Sequence, residues 1–418
     1  MTCSFKRLSL AILVAWVGFV PSVSSGELPH ATPEEVGVSS ERLQTMHRFV
    51  EDSVKSYPLT GAITLIARHG KVVDFRTYGY KDKLAGIPME KDAIFALASM
   101  TKTIVSAGTM VLVEQGHVRL SDPISRFLPE LEKRPVYLSG TGDEIQTRPA
   151  KSPILIRHLL THTAGWAGNR GQSSLDRIYT QSAYREANSL KEFVKNLAKL
   201  PLQDDPGTAY TYGPSIDVLG ALIERVSGTD LQTFLEHHLF KPLGMKDTFF
   251  EVPAEKRDRL VQMFTRRNGE LAYVEGQVKQ GDMRRGFPAG GGGLYSTASD
   301  YYRFAQMLLD QGTFEGRSIL GKKTVQSMIR NQTGFLGDKV KSNNRSEAYG
   351  FGGSVKTDTF YEKDMSSVGS YGWGGAYSTW YRIDPEEEFI AMIFAQHTPM
   401  ASSLMPYFAN TAWQAIVD

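Results

Sequence analysis

The two ends of the chain carry the sequences that are typical of β-strands, and a long helical stretch separates them. Near the N-terminus, GAITLIARHGKVVDFRTYGY predicts a hairpin that turns at His69 and Gly70. Near the C-terminus, AYGFGGSVK, YSTWYRID and EFIAMIFAQH are strand-like, and DPEE predicts the turn between the last two. Strands this far apart in a chain bury their apolar faces most simply in one shared sheet, so the segment between them is expected to be an insertion.

Helical patterns flank this sheet and fill the insertion. SSERLQTMHRFVEDSV predicts an N-terminal helix capped by Ser39 or Ser40, and a second flanking helix is expected over residues 402–417. Between them, helices are predicted over residues 101–115, 153–161, 190–197, 215–226, 231–240 and 299–311. The expected fold class is therefore α/β of the α+β type: an antiparallel sheet flanked by the terminal helices, with a mostly helical domain inserted.

This pattern predicts two domains that share one long interface. Residues 26–98 together with 290–418 would form the sheet domain, and residues 99–289 would form the mostly helical domain. A cleft between two such parts is the usual place for a binding site, so the active site is expected at their boundary.

The N-terminus has the three-part pattern of a secretory signal peptide. Lys6 and Arg7 precede a mostly apolar run over residues 8–20, and the small-residue segment SVSSG follows Pro21. This run is shorter than the roughly 20 residues that span a bilayer, which argues against a stable membrane anchor. The sequence therefore predicts cleavage after residue 25 and export of the protein to the periplasm or the medium.

Cleavage would leave a chain without net charge and without cysteine. Removal of Lys6 and Arg7 from the 47 basic residues makes them equal in number to the 45 acidic residues. A neutral chain without basic clusters gives no indication of nucleic acid or of an anionic membrane as a partner. Cys3 is the one cysteine and would leave with the signal, so neither a disulfide nor thiol chemistry is expected. The oligomeric state is not indicated.

Ser99 and Lys102 form an S-x-x-K quartet at the start of a predicted helix, in FALASMTKTIVSAGTMVLVEQG. Residues three apart share a helix face, so the hydroxyl and the ammonium would lie side by side. A lysine among apolar neighbours is a suitable partner for activating a serine nucleophile. The alternative is that Ser99 only caps the helix, because a quartet this short also arises by chance.

Two further segments favour the catalytic interpretation. Tyr212 stands just ahead of a predicted helix, in PGTAYTYGPSIDVLGALIERVSG, and Trp373 begins the triplet Trp-Gly-Gly at the start of a predicted strand, in SYGWGGAYSTWYRID. Class A β-lactamases and penicillin-binding proteins show S-x-x-K, a second polar motif and a K-T-G-like strand in this order. By contrast, G-x-S-x-G is absent, which argues against an α/β-hydrolase nucleophile elbow. The histidine and acidic residues show no metal-binding spacing, so neither a metal nor another cofactor is expected.

With these motifs, the chain resembles the serine β-lactamase-like hydrolases, in particular the branch of class C β-lactamases and family VIII carboxylesterases. The resemblance runs from about residue 31 to the C-terminus. Besides the three motifs it includes PEEVGVSSERL, ILIRHLLTHTAGW, LFKPLGMKDTFF and AGGGGLYSTASDYYRFAQML. It implies a β-lactamase/transpeptidase-like fold.

The resemblance also implies a role for each motif residue. Ser99 would be the acylated nucleophile. Lys102 would hold down the protons of Ser99 and Tyr212, since a phenol loses its proton more easily beside an ammonium, and Tyr212 would be the general base. The backbone N–H groups of Ser99 and Ala376 would form the oxyanion hole. Substrate-binding positions would be Trp373 and Tyr377, together with Gly374 and Gly375, whose missing side chains would let the substrate approach the strand edge.

Two departures from the lactamase members bear on the substrate. Pro214 stands where they have asparagine, and Trp373 replaces their lysine. A β-lactam carboxylate would lack its cationic partner, and an unpaired carboxylate is costly to bury. We therefore expect a serine esterase for short-chain carboxylic esters, with a small-molecule ester as its partner. The alternatives on this scaffold are a β-lactamase, a D-alanyl peptidase or penicillin-binding protein, and an acyltransferase.

Overall fold

The computed structural model describes residues 28–56, 59–168, 171, 173–274, 281–283, 285–339, 347–359 and 364–418. The predicted signal peptide, residues 1–25, lies outside the described residues. Within the described ranges, no helix is both long enough and apolar enough to cross a membrane.

One eight-stranded antiparallel sheet dominates the fold, which confirms the predicted α/β class. Its strands are β1 (Gly61–Arg68), β2 (Lys71–Asp82), β3 (Ile87–Pro88), β12 (Glu347–Tyr349), β13 (Ser354–Lys356), β14 (Tyr371–Gly375), β15 (Thr379–Asp384) and β16 (Phe389–Ala395). They lie in the order β12-β13-β14-β15-β16-β1-β2-β3. The two ends of the chain therefore meet at the β1–β16 pair, where Leu65 lies opposite Met392.

Four short two-stranded sheets occur outside this sheet among the described residues. Their strands are β4 (Phe95–Ala96) with β9 (Tyr295–Ser296), β5 (Pro135–Ser139) with β6 (Gln146–Pro149), β7 (Phe264–Arg267) with β8 (Glu270–Tyr273), and β10 (Thr313–Phe314) with β11 (Arg317–Ser318). The pairing of β4 with β9 matters most for function, because it joins the segment just before Ser99 to the segment that follows the glycine run 290–293.

Helices cover both faces of the sheet and fill the inserted segment. The α-helices are α1 (Ser40–Ser56), α2 (Thr101–Glu114), α3 (Ile156–Leu160), α4 (Ser174–Gln181), α5 (Leu190–Leu197), α6 (Ser215–Ser227), α7 (Leu231–Leu235), α8 (Lys241–Leu243), α9 (Ala298–Leu309), α10 (Lys322–Met328) and α11 (Leu404–Trp413). Short 3-10 helices occupy Pro33–Val36, Ala98–Met100, Ile124–Arg126, Pro129–Leu131, Gly142–Glu144, Ala254–Arg259 and Gly334–Lys339, and Glu236–Phe240 is a π-helical turn.

The central strand β16 shows how the core is divided. All seven of its residues are buried, because helices cover the sheet on both sides. Side chains alternate along a strand. Met392 and Phe394 accordingly belong to the large cluster that contains α2 and α9, whereas Ala391 and Ile393 pack with α1 and α11. Because the large cluster also includes the helices of residues 99–289, the division into two domains stays a prediction.

Three predicted elements differ in detail from the observed ones. AYGFGGSVK forms two short strands, β12 and β13, rather than one. The Trp-Gly-Gly triplet lies in a strand of its own, β14, which pairs with β15 through the turn at residues 376–378. The helix predicted over residues 231–240 stops being regular at Glu236, where the π-helical turn begins. In each case a local apolar pattern predicted the element but not the turn that divides it.

Candidate active site

Ser99 lies in the 3-10 turn Ala98–Met100, directly ahead of α2. Its side chain is half-buried, and the cap of α2 is Met100, so Ser99 does not serve as the N-cap of that helix. The preceding residue, Ala98, has a φ of 46°, a left-handed conformation that non-glycine residues rarely adopt. Backbone of this kind is strained and persists where the surrounding packing fixes it, which is typical of functional sites.

Lys102 lies on the first turn of α2 and only 4% of its surface is exposed. Its Nζ donates to Ser99 Oγ at 3.2 Å and also to the carbonyl oxygen of Gly291. The same Nζ lies 4.6 Å from the ring centroid of Tyr212. The predicted i, i+3 geometry therefore holds, and the structure adds Tyr212 to the pair.

Tyr212 completes a three-residue cluster with Ser99 and Lys102. Burial favours the neutral phenol, but the Lys102 ammonium and hydrogen bonds from Lys102, Ser99 and Trp373 hold the pKa of Tyr212 below its ordinary value. The Trp373 Nε1–H donates to the Tyr212 hydroxyl at 3.4 Å. A phenolate held in this way can accept the serine proton, which is the property of a general base.

His162 fixes the loop that carries Tyr212. It is fully buried with a φ of 54°, and its carbonyl oxygen accepts the Thr211 N–H at 2.9 Å. The Gly213 N–H donates to His162 Nδ1 at 3.4 Å, and the His162 ring centroid lies 4.6 Å from that of Tyr212. His162 therefore ties the end of α3 to residues 211–213.

The third motif lies in β14, beside the first two. The Trp373 ring is half-buried, with its centroid 5.6 Å from that of Tyr212 and 5.2 Å from that of Tyr349. Tyr349 belongs to a small cluster with Tyr210 and Leu336. Trp373 therefore forms an apolar wall next to the phenol, and no cation occupies this position of the strand.

The end of β14 packs directly on the segment that leads into Ser99. A Cβ on Gly375 would lie 2.3 Å from the Leu97 carbonyl oxygen, and Thr379 Oγ1 donates to that same oxygen at 3.1 Å. Only glycine permits so close an approach. Ala376 follows as the exposed residue of the turn at residues 376–378. This packing is compatible with an oxyanion hole formed by the N–H groups of Ser99 and Ala376, which stays a prediction.

Two predicted substrate-binding residues have surroundings that the sequence did not indicate. A side chain on Gly374 would point at Trp380, which lies in the cluster of α1 and α11 on the far face of the sheet. Tyr377 is 3% exposed and packs in a buried cluster that contains Ala98 and Tyr295. Substrate contact by Gly374 and Tyr377 stays a prediction. Tyr377 packs in the same cluster as Ala98, the residue just before Ser99.

The residue that sequence reasoning missed is Gly291, whose carbonyl oxygen is the second acceptor of Lys102. The glycine run 290–293 gave no sign of this contact, because a backbone acceptor leaves no mark on residue type. For metals, the described part of the chain brings together no group of three or more His, Cys, Asp or Glu side chains that could hold an ion.

Comparisons with known proteins identify the family and agree with the fold. Residues 46–409 match the family model named Beta-lactamase. Protein Rv1367c of Mycobacterium tuberculosis (strain ATCC 25618 / H37Rv) is 34% identical over 352 residues, which cover 82% of this chain and 86% of that protein. Esterase EstB of Burkholderia gladioli is 30% identical over 354 residues, which cover 80% and 85%.

Among solved structures, the fold is similar to that of EstCE1, described as a hydrolase with promiscuous acyltransferase activity. The TM-score is 0.76 at 24% sequence identity, and the match covers 90% of this chain and 98% of EstCE1.

Proposed function

The chain belongs to the Beta-lactamase family and is a serine hydrolase, and from this premise we propose that it hydrolyses short-chain neutral carboxylic esters through an acyl-enzyme on Ser99. The observation that carries the proposal is the position of Lys102 Nζ, which contacts Ser99 Oγ at 3.2 Å and lies 4.6 Å from the Tyr212 ring centroid. A nucleophile, a base and a buried cation thus meet at one point.

In the proposed reaction, the Tyr212 phenolate takes the Ser99 proton while Ser99 Oγ attacks the ester carbonyl. The resulting oxyanion would accept hydrogen bonds from the N–H groups of Ser99 and Ala376, which stabilise the charge that develops in the transition state. The tetrahedral intermediate then expels the alcohol, which takes the proton from Tyr212. In the second half-reaction, Tyr212 takes a proton from water while the water oxygen attacks the acyl-enzyme carbonyl. Ser99 Oγ then leaves with the proton from Tyr212, and the carboxylic acid is released.

Trp373 supports the choice of neutral esters. Its ring presents an apolar surface beside Tyr212, where a substrate carboxylate would need a cation. A β-lactamase or a D-alanyl peptidase acts on substrates that carry such a carboxylate, so these alternatives are less favoured. The name of the relative EstB, an esterase, supports the same choice. Export through the predicted signal peptide of residues 1–25 is part of this proposal.

Acyl transfer to an alcohol is a second candidate, favoured by the description of EstCE1. The acyl-enzyme is common to both reactions, since only the acceptor of the acyl group differs. Adding 1-butanol to a reaction with p-nitrophenyl butyrate distinguishes them. A transferase forms butyl butyrate in preference to butyric acid, whereas a hydrolase releases mainly the acid.

The nucleophile is tested by covalent labelling. A fluorophosphonate should form one adduct on the peptide that contains Ser99, located by mass spectrometry, and Ser99→Ala should abolish both the adduct and ester hydrolysis. Ser106→Ala is the matched control, because Ser106 is a fully buried serine further along α2. An adduct on another serine would contradict the proposal.

A further inference from the structure

Asp217 links the helix after Tyr212 to the acceptor of Lys102. It lies on the first turn of α6 and is 3% exposed. Its Oδ1 accepts the Gly291 N–H at 2.8 Å, and the carbonyl oxygen of Gly291 accepts a hydrogen bond from Lys102 Nζ. Both polar backbone groups of Gly291 are therefore used: one faces the carboxylate and the other faces the catalytic ammonium.

We propose that Asp217 is a positioning residue for the acylation of Ser99: it fixes Gly291, and through Gly291 the Lys102 ammonium. The inference rests on the proposed function only in taking Ser99 as the nucleophile, and it does not depend on which ester is the substrate. Lys102 alone cannot fix the position of Gly291, because its long side chain is flexible and can follow the backbone that it contacts.

A purely structural role for Asp217 explains these contacts less well. An acidic residue in the first turn often stabilises its own helix, through the dipole or as a cap. Here the carboxylate contacts a distant segment instead, and the cap of α6, Pro214, makes no side-chain hydrogen bond. A buried carboxylate is costly unless it is paired. Arg285 forms an ion pair with Asp217, Nη1 to Oδ2 at 3.8 Å, which offsets part of this cost, but the Gly291 N–H is the group that donates a hydrogen bond to the carboxylate, at 2.8 Å.

The backbone around Gly291 is shaped to reach this carboxylate. A Cβ on Gly291 would lie 2.8 Å from Asp217 Oδ2, and a Cβ on Gly290 would lie 2.6 Å from the Ile216 carbonyl oxygen. Two consecutive glycines thus let the chain lie against the start of α6. Because α6 begins three residues after Tyr212, the contact fixes the distance between the segment that carries the base and the acceptor of Lys102.

Four variants test the proposal. Asp217→Ala removes the acceptor, Asp217→Asn keeps an oxygen that can accept the Gly291 N–H, and Gly291→Ala pushes the carboxylate away without changing it. Asp300→Ala is the matched control. Asp300 is also a buried first-turn aspartate, 6% exposed on α9, and it accepts the N–H of the distant residue Asp247 at 2.6 Å.

The main measurement is the second-order rate constant for fluorophosphonate labelling of Ser99. The kcat and KM for p-nitrophenyl butyrate and the melting temperature are measured for the same variants. Misplacing reacting groups by about 1 Å costs on the order of 100-fold in rate, so Asp217→Ala should slow labelling by roughly 10- to 100-fold. It should lower kcat and leave KM within about twofold. Asp217→Asn should recover labelling to within about fivefold of the wild type, and Asp300→Ala should label at the wild-type rate.

Two results would overturn the proposal: labelling of Asp217→Ala at the wild-type rate, or labelling of Asp217→Asn as slow as that of Asp217→Ala. If Asp217→Ala does not fold, Gly291→Ala decides, because labelling of that variant at the wild-type rate also overturns it. A wild-type protein that labels on Ser99 but does not cleave esters contradicts the proposed substrate class and leaves this test intact.

Discussion

A methyl group on Gly375 is expected to displace the strand edge that the proposed oxyanion hole needs. In Gly375→Ala the new Cβ would lie 2.3 Å from the Leu97 carbonyl oxygen and 2.1 Å from Thr379 Oγ1. Ordinary contact begins at 3.4 Å. Since both neighbours are buried and hydrogen-bonded to each other, the relief must come from movement of β14 away from the segment before Ser99.

The size of the effect follows from that overlap. A movement of about 1 Å carries the Ala376 N–H out of hydrogen-bond range of the oxyanion, and loss of one such donor costs roughly 100- to 1000-fold in kcat. A 100-fold loss corresponds to about 2.7 kcal/mol of transition-state stabilisation. Overpacking of this kind also destabilises the fold, typically by about 1–3 kcal/mol.

Gly374→Ala provides the control one residue away. Its Cβ would meet Trp380 Cδ1 at 3.4 Å and the Thr379 carbonyl oxygen at 3.5 Å, which are ordinary contacts. Steady-state kinetics with p-nitrophenyl butyrate and a thermal melt should be measured for both variants. We expect kcat to fall about 100-fold in Gly375→Ala. In Gly374→Ala kcat should stay within about threefold of the wild type, because the new methyl group would face Trp380 on the far side of the sheet; the predicted substrate contact at Gly374 would change KM instead. Equal kcat values for the two variants and the wild type would refute this account of the strand edge.

Three other predictions concern the base, the substrate and the pH dependence of stability. Lys102→Ala and Tyr212→Phe should each lower kcat on the order of 1000-fold, and the double variant should lose at most about tenfold more, because residues that act as one unit are not additive. Losses that multiply would mean independent roles. Trp373→Lys should lower kcat/KM for p-nitrophenyl butyrate and raise it roughly 10- to 100-fold for a cephalosporin, measured on protein whose circular dichroism is unchanged. Wild-type cleavage of penicillins as efficient as that of the ester would contradict the role of Trp373. Burial raises the pKa of Asp300 from 3.8 to about 6. Between pH 3.8 and pH 6 the folded state therefore binds more protons than the unfolded state, and the free energy of unfolding falls as the pH rises through this range. Asp300→Asn should therefore gain about 3 kcal/mol relative to the wild type between pH 4 and pH 7 in urea unfolding, and a difference that does not change with pH would refute the assignment.

The sequence by itself determined the local relations in this protein. Ser99 and Lys102 lie three residues apart at the start of an apolar helix, and helical geometry alone brings their side chains together. In the same way, the apolar runs EFIAMIFAQH and GAITLIAR predicted strands, and the structure forms β16 and β1 there. Such relations can be read because they depend on residues that are neighbours in the chain.

Only the tertiary structure decided which distant groups complete the site. The Gly291 carbonyl that accepts Lys102, the His162 ring under Tyr212 and the Leu97 oxygen against Gly375 are contacts between segments far apart in sequence. Two of these three involve backbone oxygens, which every residue carries, so no residue type marks them. Their positions follow from how the sheet and the helices pack, and that packing depends on the whole chain at once.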